Sequence, residues 1–460
     1  MPGSIVDGAE RGDGPALPVL DKYHLTELDP IRVAGGGDVA DALSAAARYA
    51  EAPLSPPERS AALHRAADLL DARRADLRET MIAEAGFPGR DCDGEISRAL
   101  NTLRLSAEEA TRITGEMVPF DAAVAGRIGF TMRVPVGTVV AITPFNAPLN
   151  TPAHKVGPGL AAGNAVILKP SEKTPGAANL LVRALLEAGF PPGAVQTLQG
   201  GADVARLLLD DPRPAFFAFT GSTAVGRAIQ QAAGLRRTQM ELGSIASTIV
   251  LDGDPAEIAA KCAGASFRKA GQVCTSIQTL YVADSAMEAF RDAYVAEAEA
   301  LVAGDPSDRG TDVGPLISED AAARVEGMLR GATILTGGTR AGPLMQPTVI
   351  SDPASAFLEA EAFGPVAALI PVTGLDDAIA RVNATPYGLA TGIFTQDIGA
   401  AFTAARGLHV GGVHINETSS SRVDLMPYGG VKLSGFGQEG PRYAIREMTH
   451  ERLVTFSGLA

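Results

Sequence analysis

Cys274 stands in the run Gly271-Gln-Val-Cys-Thr-Ser, where a flexible glycine and small polar neighbours suit a reactive thiol. Upstream, Glu241-Leu-Gly supplies a carboxylate that can act as a base on the same chemistry. A nucleophile and a base are two parts of one covalent mechanism. The competing reading of any single cysteine is an inert buried thiol, because free cysteine is among the most buried residue types. Cys262, among alanines in a helical stretch, and Cys92, between two aspartates, take that inert reading.

These groups need a scaffold, and the bulk properties describe an α/β one. With 460 residues, the chain is too long for one ordinary core and suits two large domains or one elaborated α/β unit. A composition that is 46% hydrophobic and 20% charged, with 51 glycines, is that of a globular protein with many tight turns. The net charge of −14 repels phosphate at long range, so neither nucleic acid nor an acidic membrane surface is an expected partner. Three cysteines make no disulfide framework, which points to a reducing compartment and a cytoplasmic protein. Residues 1–15 lack a basic segment followed by an apolar run and read as a loose tail; no apolar stretch reaches membrane-spanning length. The six histidines form no ligand spacing with each other or with cysteine, so no metal site is expected.

Periodicity supplies the elements. Leu63, Ala66, Leu70, Leu77 and Met81 recur at helical intervals, predicting one long amphipathic helix over 57–81, with a second over about 95–114. Residues 126–133 alternate as a ribbon that leads through Pro135 into a buried strand over 136–142. Beyond Thr143, strands at 165–168, 194–198 and 215–219 alternate with helices at 175–188, 202–209 and 223–233. Repeated βα units imply a parallel sheet whose carboxyl-edge loops, Lys169-Pro-Ser-Glu and Thr220-Gly-Ser-Thr, form a nucleotide site. A second series, with strands at 248–251 and 279–283 and helices at 255–270 and 285–302, carries Cys274 in a separate lobe. Residues 452–456 read as a short exposed strand that, with the 126–133 ribbon, offers unpaired edges for another subunit.

Seven segments occur in one order: Thr143-Pro-Phe-Asn-Ala-Pro-Leu, Leu168-Lys-Pro-Ser-Glu, Phe219-Thr-Gly-Ser-Thr-Ala-Val-Gly, Glu241-Leu-Gly, Gly271-Gln-Val-Cys, Glu361-Ala-Phe-Gly-Pro-Val and Pro427-Tyr-Gly-Gly-Val-Lys-Leu-Ser-Gly. Together they resemble the NAD(P)-dependent aldehyde dehydrogenase superfamily, from about Val39 to the C-terminus. The resemblance implies an α/β fold of two Rossmann-related parallel-sheet domains plus a small β oligomerisation element. It divides the chain into a cofactor domain over 1–242, interrupted by an oligomerisation ribbon at about 120–135, and a catalytic domain over 243–415. Residues 416–460 then form a substrate-side loop, a return to the cofactor domain and a C-terminal oligomerisation strand. A homodimer or homotetramer is the implied assembly.

The family pattern also implies roles. Cys274 attacks an aldehyde carbonyl as thiolate, the Asn146 amide and the Cys274 backbone N–H hold the oxyanion, and hydride passes to the nicotinamide. The thioester left behind needs water, for which Glu241 is the implied base, with Lys155 and Glu439 at positions proposed to relay the proton outward. Thr143, Pro144, Phe145, Lys169, Glu172, Gly221, Ser222, Leu242, Glu361 and Phe363 fall at cofactor positions; Ser222 meets the pyrophosphate at a helix N-terminus. Glu172 beside the ribose accepts bonds from a 2′,3′ diol and repels a phosphate, which weighs toward NAD over NADP, with Lys173 next to it in the other pan. Two departures stand out: Ser244 replaces the second glycine many relatives carry after Glu-Leu-Gly, leaving local backbone detail open, and Phe145 fills a position usually held by Trp.

The loop Asn416-Glu-Thr-Ser-Ser-Ser-Arg-Val-Asp-Leu-Met resembles that of lactaldehyde-dehydrogenase-like and related small-aldehyde branches. Arg422, its only cation, either binds an anionic group on a small aldehyde or anchors the loop through Asp424 or Glu417. Oxidation of an aldehyde to a carboxylic acid is the implied activity. Two alternatives compete with it: a CoA-acylating dehydrogenase, in which thiolysis needs no water-activating base, and a catalytically silent dinucleotide-binding relative.

Overall fold

The computed structural model describes residues 3–12, 14–124 and 126–458 of the chain. Its N-terminal helical layer differs from the periodicity in one respect: the single helix expected over 57–81 is two, Pro56–Ala72 and Arg74–Ala85. Leu63, Ala66, Leu70, Leu77 and Met81 are all buried as expected. A seven-residue step from Leu70 to Leu77 spans the break at Arg73 (φ −104°, ψ 22°), so the apolar spacing does not register it. Pro56 at the first helical position and Glu58, whose carboxylate accepts the Ser55 N–H at 2.8 Å, define the start. The next helix, Gly89–Ala110, begins directly after Pro88, earlier than expected, and so puts Asp91, Cys92 and Glu95 on its buried face.

The first large sheet has eight strands in the order Ala9–Arg11, Ser4–Val6, Val195–Thr197, Ala165–Lys169, Thr138–Ile142, Phe216–Thr220, Arg237–Glu241 and Gly435–Phe436. The five from Val195–Thr197 to Arg237–Glu241 are parallel, and their chain order runs outward in both directions from Thr138–Ile142. The crevice beside that reversal, at the carboxyl ends of Thr138–Ile142 and Phe216–Thr220, is where such sheets bind ligands. One expectation, for the chain's start, needs correction here. Ser4–Val6 and Ala9–Arg11 form a hairpin on the sheet's edge, with Ser4, Ile5 and Val6 buried, so these residues are not a loose tail. At the other edge Gly435–Phe436 runs antiparallel to Arg237–Glu241, pairing Gly435 with Glu241.

The second sheet has seven strands: Thr333–Thr336, Thr348–Ser351, Val366–Val372, Ile277–Ala283, Ala246–Val250, Ala390–Phe394 and Gly412–Ile415, all parallel save the first. Each large sheet has its own core of buried apolar side chains. The fold is thus α/β, with two Rossmann-like parallel sheets and a separate three-stranded sheet of Met117–Val118, Ile128–Pro135 and Thr449–Phe456. In that third sheet the two segments expected to offer free edges pair with each other along their whole length, from Thr449 opposite Pro135 to Phe456 opposite Ile128. Its two outer edges, those of Thr449–Phe456 and of the short Met117–Val118, are left without a strand partner among the described residues. None of the described helices is long and apolar enough to cross a membrane.

Candidate active site

Cys274 lies in the loop that feeds the strand Ile277–Ala283 from the helix Pro255–Phe267. The approach is strained: Lys269, Ala270 and Gly271 have φ of 52°, 53° and 68°, a left-handed run that costs about 1–3 kcal/mol at each residue with a side chain. Gly271 is obligatory, because a Cβ there would come within 2.0 Å of the Gly364 carbonyl oxygen. The surroundings hold the strain in place. Asp91 accepts the Lys269 N–H at 3.1 Å, and the Lys269 ammonium pairs with the buried Glu95 carboxylate and donates to the Asn146 carbonyl at 3.0 Å. The other Glu95 oxygen accepts the N–H groups of Leu149 and Asn150 at 2.9 and 3.1 Å. One helix therefore braces both the thiol loop and the loop that carries Asn146. The Asn146 amide donates to the Gln272 carbonyl at 2.8 Å, which fixes its plane and leaves its second N–H for another acceptor.

Cys274 is half-buried, and its sulfur is 2.8 Å from the Tyr428 hydroxyl. Burial pushes the thiol up to about 11, with Tyr428 and Arg422 pulling it back. Glu241 ends its strand at 2% exposure, with Oε1 buried and unpaired. Burial, reinforced by the neighbouring Glu439 charge, raises its carboxyl well above the ordinary range, so it favours the neutral acid. Glu439 has the opposite fate: although burial opposes ionisation, Lys155 at 3.0 Å on one oxygen and Arg422 at 3.0 Å on the other hold it far below that range. The Arg422 guanidinium also lies over the Tyr428 ring, its central carbon 3.7 Å from the centroid. The partners expected for Arg422 were Asp424 or Glu417; Asp424 instead accepts from Arg98 and Asn101, with His154 at 3.4 Å, which ties the loop to the helix Gly89–Ala110.

Of the residues expected at the cofactor, Pro144, Phe145, Gly221, Ser222, Leu242, Glu361 and Phe363 line one cavity together with Cys274, Asn146, Glu241, Arg422 and Glu439, its volume about 710 Å³. Lys155 stands behind this wall, through Glu439. Ser222 caps the helix Thr223–Ala233 and accepts the Val225 N–H at 3.4 Å, leaving the first turn's other N–H groups for an anion. Phe363, at φ 47°, meets Phe145 edge to face at 5.9 Å, so the ring in the usual Trp position packs against another cofactor candidate. Ser244 donates its N–H to one Glu361 oxygen at 3.0 Å, while a Cβ on Gly243 would come within 2.9 Å of the other. Thr143, expected at the cofactor, has a buried unpaired hydroxyl but is not among the residues lining the cavity. Lys169 and Glu172 pair at 3.4 Å at the end of Ala165–Lys169, outside the cavity wall.

Tyr428, Lys269, Glu95 and Arg268 escaped the sequence reading. Tyr428 lies inside the segment that begins at Pro427, where its hydroxyl could have been weighed; Lys269 and Glu95 act through contacts across 174 residues, for which spacing holds no signal.

The geometry defines an α/β enzyme with a dinucleotide crevice that opens onto a buried thiol and carboxyl. Residues 10–454 match the family model described as the aldehyde dehydrogenase family, and the chain belongs to that family. It is 43% identical to 3-sulfolactaldehyde dehydrogenase of Priestia aryabhattai over 466 aligned residues, covering 99% of this chain and 98% of the relative. Aldehyde dehydrogenase 21 from Physcomitrella patens, solved in complex with the reaction product succinate, superposes with a TM-score of 0.96 at 34% identity, covering 99% of this chain and 98% of that one. The NADP-dependent glyceraldehyde-3-phosphate dehydrogenase from Bacillus halodurans, solved with NADP, gives 0.95 at 32%, covering 99% and 98%. The chain is an NAD(P)+-dependent aldehyde dehydrogenase in class, oxidising aldehydes to acids.

Proposed function

We propose that the protein oxidises a short aldehyde bearing an anionic group to the acid through a thioester on Cys274, hydrolysed by water that Glu241 activates. The observation that carries this is the convergence of the Cys274 thiol, the Asn146 amide and the unpaired Glu241 carboxyl on one cavity. Cys274 as thiolate adds to the carbonyl carbon, and the oxyanion takes the free Asn146 N–H and the Cys274 backbone N–H. When bound, the nicotinamide supplies the hydride acceptor. Gly221 and Ser222 would hold its pyrophosphate, Glu361 its ribose, and Phe145 and Phe363 its ring, with Thr143, Pro144 and Leu242 around them. Lys169 and Glu172 would hold the adenosine ribose, and the Glu172 carboxylate favours NAD. Glu241, once ionised, takes a proton from the water that attacks the thioester carbonyl. Lys155 and Glu439 keep the charge beside Glu241 fixed while the proton leaves; Glu439, with a cation on each oxygen, is a poor place for that proton to rest.

For the anionic group, Arg268 is better placed than Arg422. It lines the cavity half-buried, with no hydrogen-bond or ion-pair partner among the described residues, whereas Arg422 is held by Glu439 and Tyr428. The relatives are in keeping: two are named for 3-sulfolactaldehyde and glyceraldehyde-3-phosphate and one holds succinate, each an anion. The test compares kcat/KM for glycolaldehyde with that for carboxylated, sulfonated and phosphorylated aldehydes. Arg268→Gln should lose about 10–100-fold on the charged substrates, the value of a hydrogen bond to a charge, and little on glycolaldehyde. An unchanged ratio sinks the anionic assignment. Retention of Glu241 favours hydrolysis over CoA acylation, and identifying the product with and without CoA decides between acid and acyl-CoA. The three unbridged cysteines support a reducing compartment such as the cytoplasm, and the open edge of Thr449–Phe456 supports a homodimer or homotetramer.

A further inference from the structure

Tyr428 is tied into a closed ring of three residues. Its backbone exchanges two hydrogen bonds with Glu439, donating at 3.2 Å and accepting at 2.7 Å. The Glu439 side chain holds the Arg422 guanidinium at 3.0 Å, and that guanidinium stacks back on the Tyr428 ring, 3.7 Å from its centroid. A planar cation over a phenol face is attracted by the ring's quadrupole and restricts rotation of the ring. The free end of the ring of contacts is the Tyr428 hydroxyl, 2.8 Å from the Cys274 sulfur.

We propose that Tyr428 is a catalytic residue whose hydroxyl donates a hydrogen bond to the Cys274 thiolate, and that Arg422 and Glu439 are positioning residues that clamp it there. This rests on the assignment of Cys274 as the nucleophile. In the thiol form either atom can donate, but once the sulfur is ionised it only accepts, so Tyr428 must be the donor; the thiol proton passes to solvent. The hydrogen bond does two things at once: it stabilises the anion and it aims the sulfur. The groups facing the thiol are Tyr428 and Arg422 from the substrate-side loop, Glu241 from the first sheet and Glu361 from the loop before Val366–Val372. The two carboxyls disfavour the thiolate, while the Tyr428 hydroxyl and the Arg422 guanidinium favour it. An ordinary apolar ring at position 428 would leave the sulfur with Arg422 alone.

The experiment is the rate of Cys274 alkylation by iodoacetamide against pH in the full chain, read by mass spectrometry at residue 274. The reaction forms an S–C bond and releases iodide, and it reports the thiolate without requiring turnover. Cys92 and Cys262 do not interfere, since both are fully buried. Tyr428→Phe should move the midpoint up by about one pH unit, a tenfold slower alkylation below it, with Tm and dinucleotide affinity as in wild type. Arg422→Lys, which keeps a cation but loses the planar guanidinium over the ring, should shift the midpoint in the same direction when Tyr428 is intact and add little when combined with Tyr428→Phe. An unchanged midpoint in Tyr428→Phe overturns the catalytic role, and an additive Arg422→Lys effect overturns the clamp. Neither result touches the role of Cys274, which fails separately if Cys274→Ala still forms acid.

Discussion

Replacing Glu241 by Gln separates the chemistry of this position from its structure more cleanly than any other change in the site. Glu241 is buried with Oε1 unpaired, and burial together with the Glu439 charge raises its carboxyl well above the ordinary range and so favours its protonated form. Glutamine is neutral and nearly isosteric with that protonated acid, so the exchange should cost the fold less than about 1 kcal/mol. The stability effect even has an expected sign. A carboxyl whose folded value is raised binds its proton more tightly in the native state, so the wild type loses stability as pH rises from the ordinary carboxyl range near 4.5 toward the folded value. Each tenfold difference in the ionisation constant amounts to about 1.4 kcal/mol. The Gln variant has no such group, so its Tm should fall less than the wild type's between weakly acidic and alkaline pH.

Activity should move the other way. Losing a positioned general base costs about 10²–10⁴-fold, and the loss should fall on hydrolysis of the thioester alone. Rapid mixing of Glu241→Gln with aldehyde and cofactor should then give a burst of about one reduced nicotinamide per active site, followed by near-absent turnover. Steady turnover at the wild-type rate would refute the assignment of Glu241 as the base. Absence of the burst would show instead that Glu241 is needed before hydride transfer, with the thiol.

Glu439→Gln should behave quite differently, because it strands two buried cations; breaking such a pair costs about 3–5 kcal/mol, measurable by urea denaturation and partly recovered by Lys155→Met in the same chain. Cys274→Ala should abolish acid formation while leaving dinucleotide affinity, read by fluorescence titration, within about twofold. In the wild type, steady-state kcat should still be rising with pH beyond the range where an ordinary carboxyl has ionised, since the proposed base must lose its proton to act and its carboxyl lies well above the usual range; a flat profile there with hydrolysis rate-limiting would contradict that environment.

The three groups that meet in the cavity could be singled out from the sequence because each sits in a short segment of distinctive composition: the thiol after Gly271-Gln, the carboxylate at a strand end before Leu-Gly, the amide in a proline-rich turn. The parallel βα units were equally readable, since alternation of buried strands and amphipathic helices is a local property. The misses share a different physics. The break at Arg73 sits within an uninterrupted apolar rhythm. The hairpin Ser4–Val6 and Ala9–Arg11 is a strand pair because Val195–Thr197 offers it an edge, and Thr449–Phe456 is matched by Ile128–Pro135 more than 300 residues earlier. Arg422 was seen as the loop's only cation, but its partner Glu439 lies beyond the loop and was already assigned to another task.

That double use of Glu439 is what makes the charge arrangement coherent. Four ionisable groups, Lys155, Glu439, Arg422 and Glu241, are buried within reach of one another, which would be prohibitive if all were charged and badly matched. The two cations flank Glu439 and neutralise it, and the excess positive charge is shared with the Tyr428 face and the thiol. Glu241 is left without a counter-ion and so without a reason to ionise at rest. With both the Glu241 carboxyl and the Cys274 thiol raised by burial, the cavity is biased against carrying two unpaired anions at once. In the proposed mechanism, Arg422 faces both the sulfur and the Glu241 carboxyl and Lys155 faces the carboxyl, so the cations that hold Glu439 down are also placed to favour ionisation of the thiol in attack and of the base in hydrolysis.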